Sequence, residues 1–544
     1  MPDLNTNKLS YLSILLLVTF LVFFVNLDAI YVNIMEARNF ITAREMLNHN
    51  NWLLTTLNDL PRYQKPPLPT WLTAISGSIL GMDSLVALRL PAALSTLLLI
   101  YFFFRFIPKL KLGKKQAFIS SLVLATSFYI VFSGRNGQWD IFTHAFMMVC
   151  IYYLWNFFCK NSELYQNAVL AGVFLGFSFM SKGPVSLYAL FLPFLISFGI
   201  VYKFRTFRSK WKPFLVFLVV SLGIGLWWFI YVRLADPLAF QKIAEKEATN
   251  WTSYNIRPFW YYWSFFTQSG IWTIPSFVAL LYPYLKDRVS NKKAYTFSFL
   301  WTILAVVLLS VIPEKKSRYL LPVLIPMAMN TGFYIEYLFR RFSSLPKKEK
   351  WVVYFNHGLI ALIGIVFPIG GYFFLDLEGF WFWFVLTSLV LFSIGVAKLY
   401  FLRKQDYPKV FYLTISFIAA IIVCGFPLVG SLIDNPKFNN IAKLRELEQK
   451  ENIQVYEYES FGPELIWEYG KPIPLLKEGD SVRIPAEGRF GLLTVPNDST
   501  ALNDFSDDFR IKRTARYDLN YVNPEKSGYK ERLIRNFYIL ERKD

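Results

Sequence analysis

The sequence is poor in the residues that most often do soluble chemistry. It has 3 cysteines and 3 histidines in 544 residues. Cys150, Cys159 and Cys424 all lie inside apolar runs, which excludes a disulfide framework and a Cys-rich metal centre. His49, His144 and His357 have no metal-ligand spacing among themselves, and His144 reads as a packing residue. Charge is scarce too, at 17% of residues, against 54% hydrophobic. A water-soluble chain of this length would carry more charge, so the composition points to a polytopic membrane protein. No internal repeat or low-complexity segment stands out. The acidic side of the balance is thin: 57 Lys and Arg face 38 Asp and Glu, a net charge of +19. In a membrane protein such an excess belongs in cytoplasmic loops, and it needs no nucleic acid to explain it.

What is present is a series of apolar runs of roughly 17 to 25 residues, the length of a helical span. About thirteen are expected, near 9–29, 84–107, 116–134, 139–158, 165–181, 183–204, 212–235, 260–285, 294–312, 319–339, 353–375, 378–402 and 409–433. The first has no small-residue cleavage site and reads as a retained span. The shorter, Pro- and Gly-rich stretch 66–81 reads as interfacial. Five connections are strongly basic: "KLKLGKK" (109–115), "KFRTFRSKWK" (203–212), "KDRVSNKK" (286–293), "RRFSSLPKKEK" (340–350) and "LRKQDYPK" (402–409). All are even-numbered, so they agree on one face, which is expected to be cytoplasmic along with the N-terminus. Loops 30–65 and 236–259 then fall outside, as does the C-terminus. After the last span the pattern changes to short charged helices and alternating strands. The expected organisation is a membrane domain, 1–434, with an outer loop 30–83 carrying interfacial helices, and a small extracytoplasmic α/β domain, 435–544.

Charges on the outer side need a reason, because ionisable groups at a membrane boundary are costly. Glu36, Arg38, Lys65, Arg135, Asp140, Lys182 and the cluster in "PEKKSRYLLP" (313–322) all map there. Each has a plain reading and a sharper one. Glu36 fits the first turn of a helix, where the dipole favours a carboxylate. Arg135 and Asp140 suit a local ion pair, and the lysines suit snorkelling to headgroups. Taken together, seven outer sites from distant parts of the chain suggest one shared cavity for an anionic group such as a phosphate.

The order of "ITAREMLNHNNWL", "RYQKPPLPTWLTA", "LRLPAALS", "GFSFMSKGPVSL" and "SRYLLPVLIPMAM" resembles integral-membrane glycosyltransferases of the GT-C type. Within these it is similar to aminoarabinose–lipid A transferases and protein O-mannosyltransferases, over about residues 10 to 340. The resemblance implies a GT-C fold in the bacterial inner membrane. It implies an inverting transfer from a polyprenyl-phosphate sugar to a lipid or protein acceptor on the outer face. It assigns Glu36 and Asp140 to catalysis, and Arg38, Gln64, Lys65, Arg135, Lys182, Lys315, Arg318 and Tyr319 to the donor phosphate or substrate. Two departures weaken the acid assignments: the family commonly has an Asp-Glu pair where this chain has Met35-Glu36, and Glu-Lys where it has Gln64-Lys65. No metal site is assigned, and a divalent cation is only weakly supported by the resemblance. A lipid or sugar transporter, or an altered glycolipid-binding homologue, are the alternatives; a transporter would favour internal repeats, which are lacking.

Overall fold

The computed structural model describes residues 10–204, 207–496, 498 and 500–543. It divides into two compact units, Met1–Asp28 with Tyr63–Phe374 and Trp381–Pro427, and Ala29–Arg62 with Leu375–Phe380 and Leu428–Asp544.

The first unit is helical. Among the described residues eight helices are long and apolar enough to cross a membrane, and a bent pair makes nine: Lys114–Ala125 and Phe128–Gly134 meet at 68°. The bend has a local cause. Thr126 and Ser127 turn their hydroxyls back onto the carbonyls of Leu122 and Val123, competing with the helix ladder. The remaining four expected runs differ from single long helices. Tyr11–Phe23 has 13 residues, and its expected start at residue 9 lies outside the described residues. Run 183–204 holds a π-turn, Leu187–Phe191, before Leu192–Val201. Run 260–285 is broken into short pieces, with Gly270 at φ 65° and Pro275 and Pro283 interrupting the backbone ladder. Run 319–339 begins as a 3-10 turn, Ser317–Val323, before the helix Leu324–Arg341. The expected interfacial stretch contains the short helix Leu68–Leu80.

Small residues set the helix spacing. A Cβ on Gly176 would lie 2.6 Å from Ile224, and one on Gly172 2.9 Å from the Phe217 carbonyl, so helices Leu164–Lys182 and Trp211–Ala235 touch along a glycine seam. Thr143 and Ser178 hydrogen-bond reciprocally, Oγ to carbonyl, at 2.9 and 2.8 Å, fixing helix Asp140–Cys159 against Leu164–Lys182.

The five basic connections gather at one end of this unit. Lys109 donates to Asn156, and Lys210 caps the helix end at Phe157, Phe158 and Lys160. Asn291 reaches Leu110, Lys293 lies over the Tyr202 ring, Arg288 pairs with Glu349, Arg340 reaches the Arg288 carbonyl, and Lys350 reaches Gln405. Arg205 and Thr206 of the second connection lie outside the described residues.

The second unit holds a four-stranded sheet in the order Val455–Glu457, Arg489–Thr494, Ile534–Arg542, Phe509–Asp518. The first pair is parallel and the others antiparallel. Helix Pro463–Tyr469 starts at Pro and ends at Gly470 with φ 93°, as the sequence pattern implies. The unit takes in residues that the sequence reading assigned to the membrane domain. Ala37 and Ile41 of helix Ile34–Asn48 share a core with Ile441, Leu444, Ile466 and Phe537. Asn58 exchanges two 2.7 Å hydrogen bonds with the backbone of Ile473. The loop's apolar face is buried against the C-terminal segment, so the boundary at 434 does not separate the compact units.

Candidate functional site

At the end of the helical unit away from the basic connections, helix Asp140–Cys159 begins and helix Leu164–Lys182 ends. This places the Asp140 carboxylate on the Lys182 ammonium, and both side chains are almost wholly buried. Asp140 Oδ2 is buried with no hydrogen-bond partner among the described residues. Lys182 also lies over the Tyr319 ring, 5.4 Å from its centroid. Arg318 and Lys316 act electrostatically on Lys182, and Arg318 on Asp140. Lys316 stacks over Tyr254 at 4.8 Å and pairs with Glu314, which also accepts from the Tyr319 hydroxyl at 3.1 Å.

The segment carrying these groups is held by its neighbour in the chain fold. Residues Ile256 and Glu314 form an antiparallel bridge, with Arg257 N donating to Pro313 and Lys315 N to Asn255. The Tyr262 hydroxyl accepts from Lys316 N and donates to Lys316 O, each at 3.1 Å. Tyr188, on the π-turn, feels both Glu314 and Asp140. Arg318 makes no hydrogen bond to a described residue, and its Nε is buried without a partner. Each ammonium has its own carboxylate, Asp140 for Lys182 and Glu314 for Lys316, whereas Arg318 is the cation of this cluster with no ion-pair partner among the described residues.

Other sequence-predicted residues are engaged elsewhere. Arg135 does not pair with Asp140. It donates to the carbonyls of Val22 (2.7 Å) and Asn26 (2.5 Å) and lies over Phe426, tying down the end of helix Tyr11–Phe23. Lys315 spends its ammonium on the carbonyls of Arg257 and Ile312, at 3.0 and 2.6 Å, and burial pulls it below the ordinary lysine value. Gln64 and Lys65 lie half-buried before helix Leu68–Leu80; Gln64 Oε1 has no hydrogen-bond partner among the described residues. His144 reaches Ser186 at 3.1 Å inside the helix packing.

Glu36 and Arg38 belong to the other unit. Glu36 is 1% exposed and completes a capping box: its Oε2 accepts from Asn33 N and Nδ2 while Asn33 Oδ1 accepts from Met35 N and Glu36 N. Arg38 Nη1 lies 4.0 Å from Met35 Sδ. Among the described residues no three His, Cys, Asp or Glu side chains form a metal-binding group.

Sequence reasoning missed Glu314, Tyr188 and Tyr262. Glu314 sat in plain view inside "PEKKSRY", but a segment read as basic hides its one acid. Tyr188 gave no signal, because only the π-turn brings it to the charges.

Residues 64–228 match the family model described as dolichyl-phosphate-mannose-protein mannosyltransferase. The undecaprenyl phosphate-α-4-amino-4-deoxy-L-arabinose arabinosyl transferase of Photorhabdus laumondii is 25% identical over 315 residues, 54% of this chain and 53% of that one. A transferase of the same description from Proteus mirabilis is 24% identical over 380 residues, 66% of this chain and 67% of that one. The chain spans about half the length of the first curated relatives it matches. Among solved structures, ArnT from Cupriavidus metallidurans bound to undecaprenyl phosphate aligns with TM-score 0.69 over 97% of both chains, at 16% identity. The chain is thus a polytopic α-helical membrane protein that resembles aminoarabinose transferases and O-mannosyltransferases, with the GT-C fold and a small C-terminal sheet region.

Proposed function

We propose that the protein is an inverting glycosyltransferase that moves a sugar from a polyprenyl-phosphate donor to a lipid or protein acceptor. The observation that carries this reading is the open guanidinium of Arg318 beside Lys182 and Lys316, in a fold shared with a protein solved on undecaprenyl phosphate. The arabinosyl names of the relatives favour a pentose over a hexose as the sugar moved.

In this reading Lys182, Lys316 and Arg318 hold the donor phosphate, with Lys65 as a further cation. Their charge-assisted donors are strongest where they meet developing negative charge. As the bond from the anomeric carbon to the phosphate oxygen breaks, the electron pair goes to that oxygen, and the cations stabilise the leaving polyprenyl phosphate. Asp140 holds Lys182 in place, and Tyr319 covers the ammonium with its ring. A site walled by helices keeps water from competing with the acceptor.

The basic connections would face the cytoplasm and this site the periplasm of a bacterial inner membrane, with the N-terminus inside and the second unit outside. Label transfer from a polyprenyl-phosphate sugar in liposomes tests the function. The reading predicts a glycosylated acceptor and free polyprenyl phosphate; purified protein that binds the donor but makes neither refutes it.

A further inference from the structure

The structure leaves the proposed reaction without an obvious proton acceptor. Met35 stands where the resembled family has an acid, Glu36 is tied into a helix cap, and Asp140 is spent on Lys182 with its second oxygen sealed. One carboxylate in the cluster is placed differently. Glu314 lies in the connection Ile312–Lys316, its side chain 13% exposed. Its Oε1 takes the Lys316 ammonium and the Tyr319 hydroxyl, while Oε2 accepts no hydrogen bond from any described residue.

We propose that Glu314 serves the acceptor: its Oε2 takes the proton of the incoming hydroxyl. This rests on the glycosyltransferase reading and names the base of that same site. The geometry supports it in three ways. The backbone of Glu314 is clamped by the bridge to Ile256, so the side chain springs from a fixed point. Two donors grip Oε1, which fixes the carboxylate and leaves Oε2 as the oxygen not engaged by a described residue. Glu314 also acts on Tyr188, Tyr262 and Tyr319, the rings around the cations, which places it at the phosphate cluster and not on a remote surface.

The step balances. The acceptor O–H proton passes to Glu314 Oε2, and the acceptor oxygen bonds the anomeric carbon. The carbon–oxygen bond to phosphate breaks, and its electrons leave on the polyprenyl phosphate held by Lys182 and Arg318. Glu314 then returns its proton to solvent.

The test uses the full chain. A deletion strain is complemented with wild type, Glu314→Gln and Glu314→Asp, and formation of the envelope product restored by wild type is followed by mass spectrometry in spheroplasts across pH. Undecaprenyl phosphate binding is measured on the purified proteins. Glu314→Gln keeps an acceptor for Lys316 and Tyr319, so binding is expected to stay within about twofold. Its rate is expected to fall about 100-fold or more, with the loss of rate on acidification abolished. Glu314→Asp is expected to lose rate but keep the acid limb, which carries the test if the Gln variant fails to fold. A Gln variant with near-wild-type rate, or one whose loss matches an equal loss of undecaprenyl phosphate binding, overturns the assignment. If wild type restores no glycosylated product, the glycosyltransferase reading fails instead.

Discussion

Two buried ion pairs, one in each unit, show how the same bond can serve different ends. In the sheet, Arg535 Nε meets Glu457 Oε1, and its other nitrogens reach the carbonyls of Arg532, Ile534 and Ser460. Both partners are 2% exposed, and the guanidinium is satisfied on every side by its own chain. In the helical unit, Asp140–Lys182 is almost as buried, but Asp140 Oδ2 is unmet and the neighbouring Arg318 is open. A saturated pair holds its own structure together. The second pair leaves a carboxylate oxygen, and the guanidinium beside it, without a hydrogen-bond partner among the described residues.

Breaking the pairs one partner at a time separates these roles. Lys182→Met is expected to cut label transfer by at least about 1000-fold, because it strands Asp140 and removes a cation proposed to hold the phosphate. The paired replacement Asp140→Leu with Lys182→Met is expected to restore the thermal midpoint but not the transfer. Arg535→Leu leaves Glu457 alone in the sheet and is expected to destabilise the second unit by about 3–5 kcal/mol, read as faster hydrogen exchange in Ile534–Arg542. Transfer chemistry is not its direct target.

Arg318→Ala tests the open side of the comparison. Donor affinity or turnover is expected to fall about 100-fold, with little change in melting, since no described residue depends on its hydrogen bonds. The closed pair has its own signature in pH. Burial pushes Glu457 up to about 7 even with Arg535 beside it. A carboxyl raised on folding favours the folded state when protonated, so this stability is present at low pH and is lost as pH rises through about 7. Protection factors in Val455–Glu457, taken relative to the intrinsic exchange rate at each pH, should fall from about pH 5.5 to 8, and Glu457→Gln should flatten that trend. Smallest is the helix cap: Asn33→Ala is expected to cost about 1 kcal/mol of local stability around Glu36.

Much of the helical unit was legible because hydrophobic length is a one-dimensional property. That the basic connections are all even-numbered between the expected spans also anticipated their meeting at one end. The broken runs were less legible. Length alone does not reveal that Pro275, Pro283 and Gly270 divide 260–285, or that Thr126 and Ser127 fold their side chains back. Helix Ile34–Asn48 read correctly as a helix starting near Glu36, but its partners Ile441 and Ile466 lie some 400 residues on in the sequence, beyond any local pattern. Lys182, Arg318 and Tyr319 were singled out and the structure brings them together. Arg135 and Lys315 were singled out for charge alone, and their hydrogen bonds go to carbonyls instead.

The most direct measurement is undecaprenyl phosphate binding to purified wild type and to Lys182→Met/Arg318→Ala. The account predicts saturable binding that the double variant loses while remaining folded and monodisperse. Equal affinity in both would mean that these cations do not grip a lipid phosphate, and the site would have to be sought elsewhere.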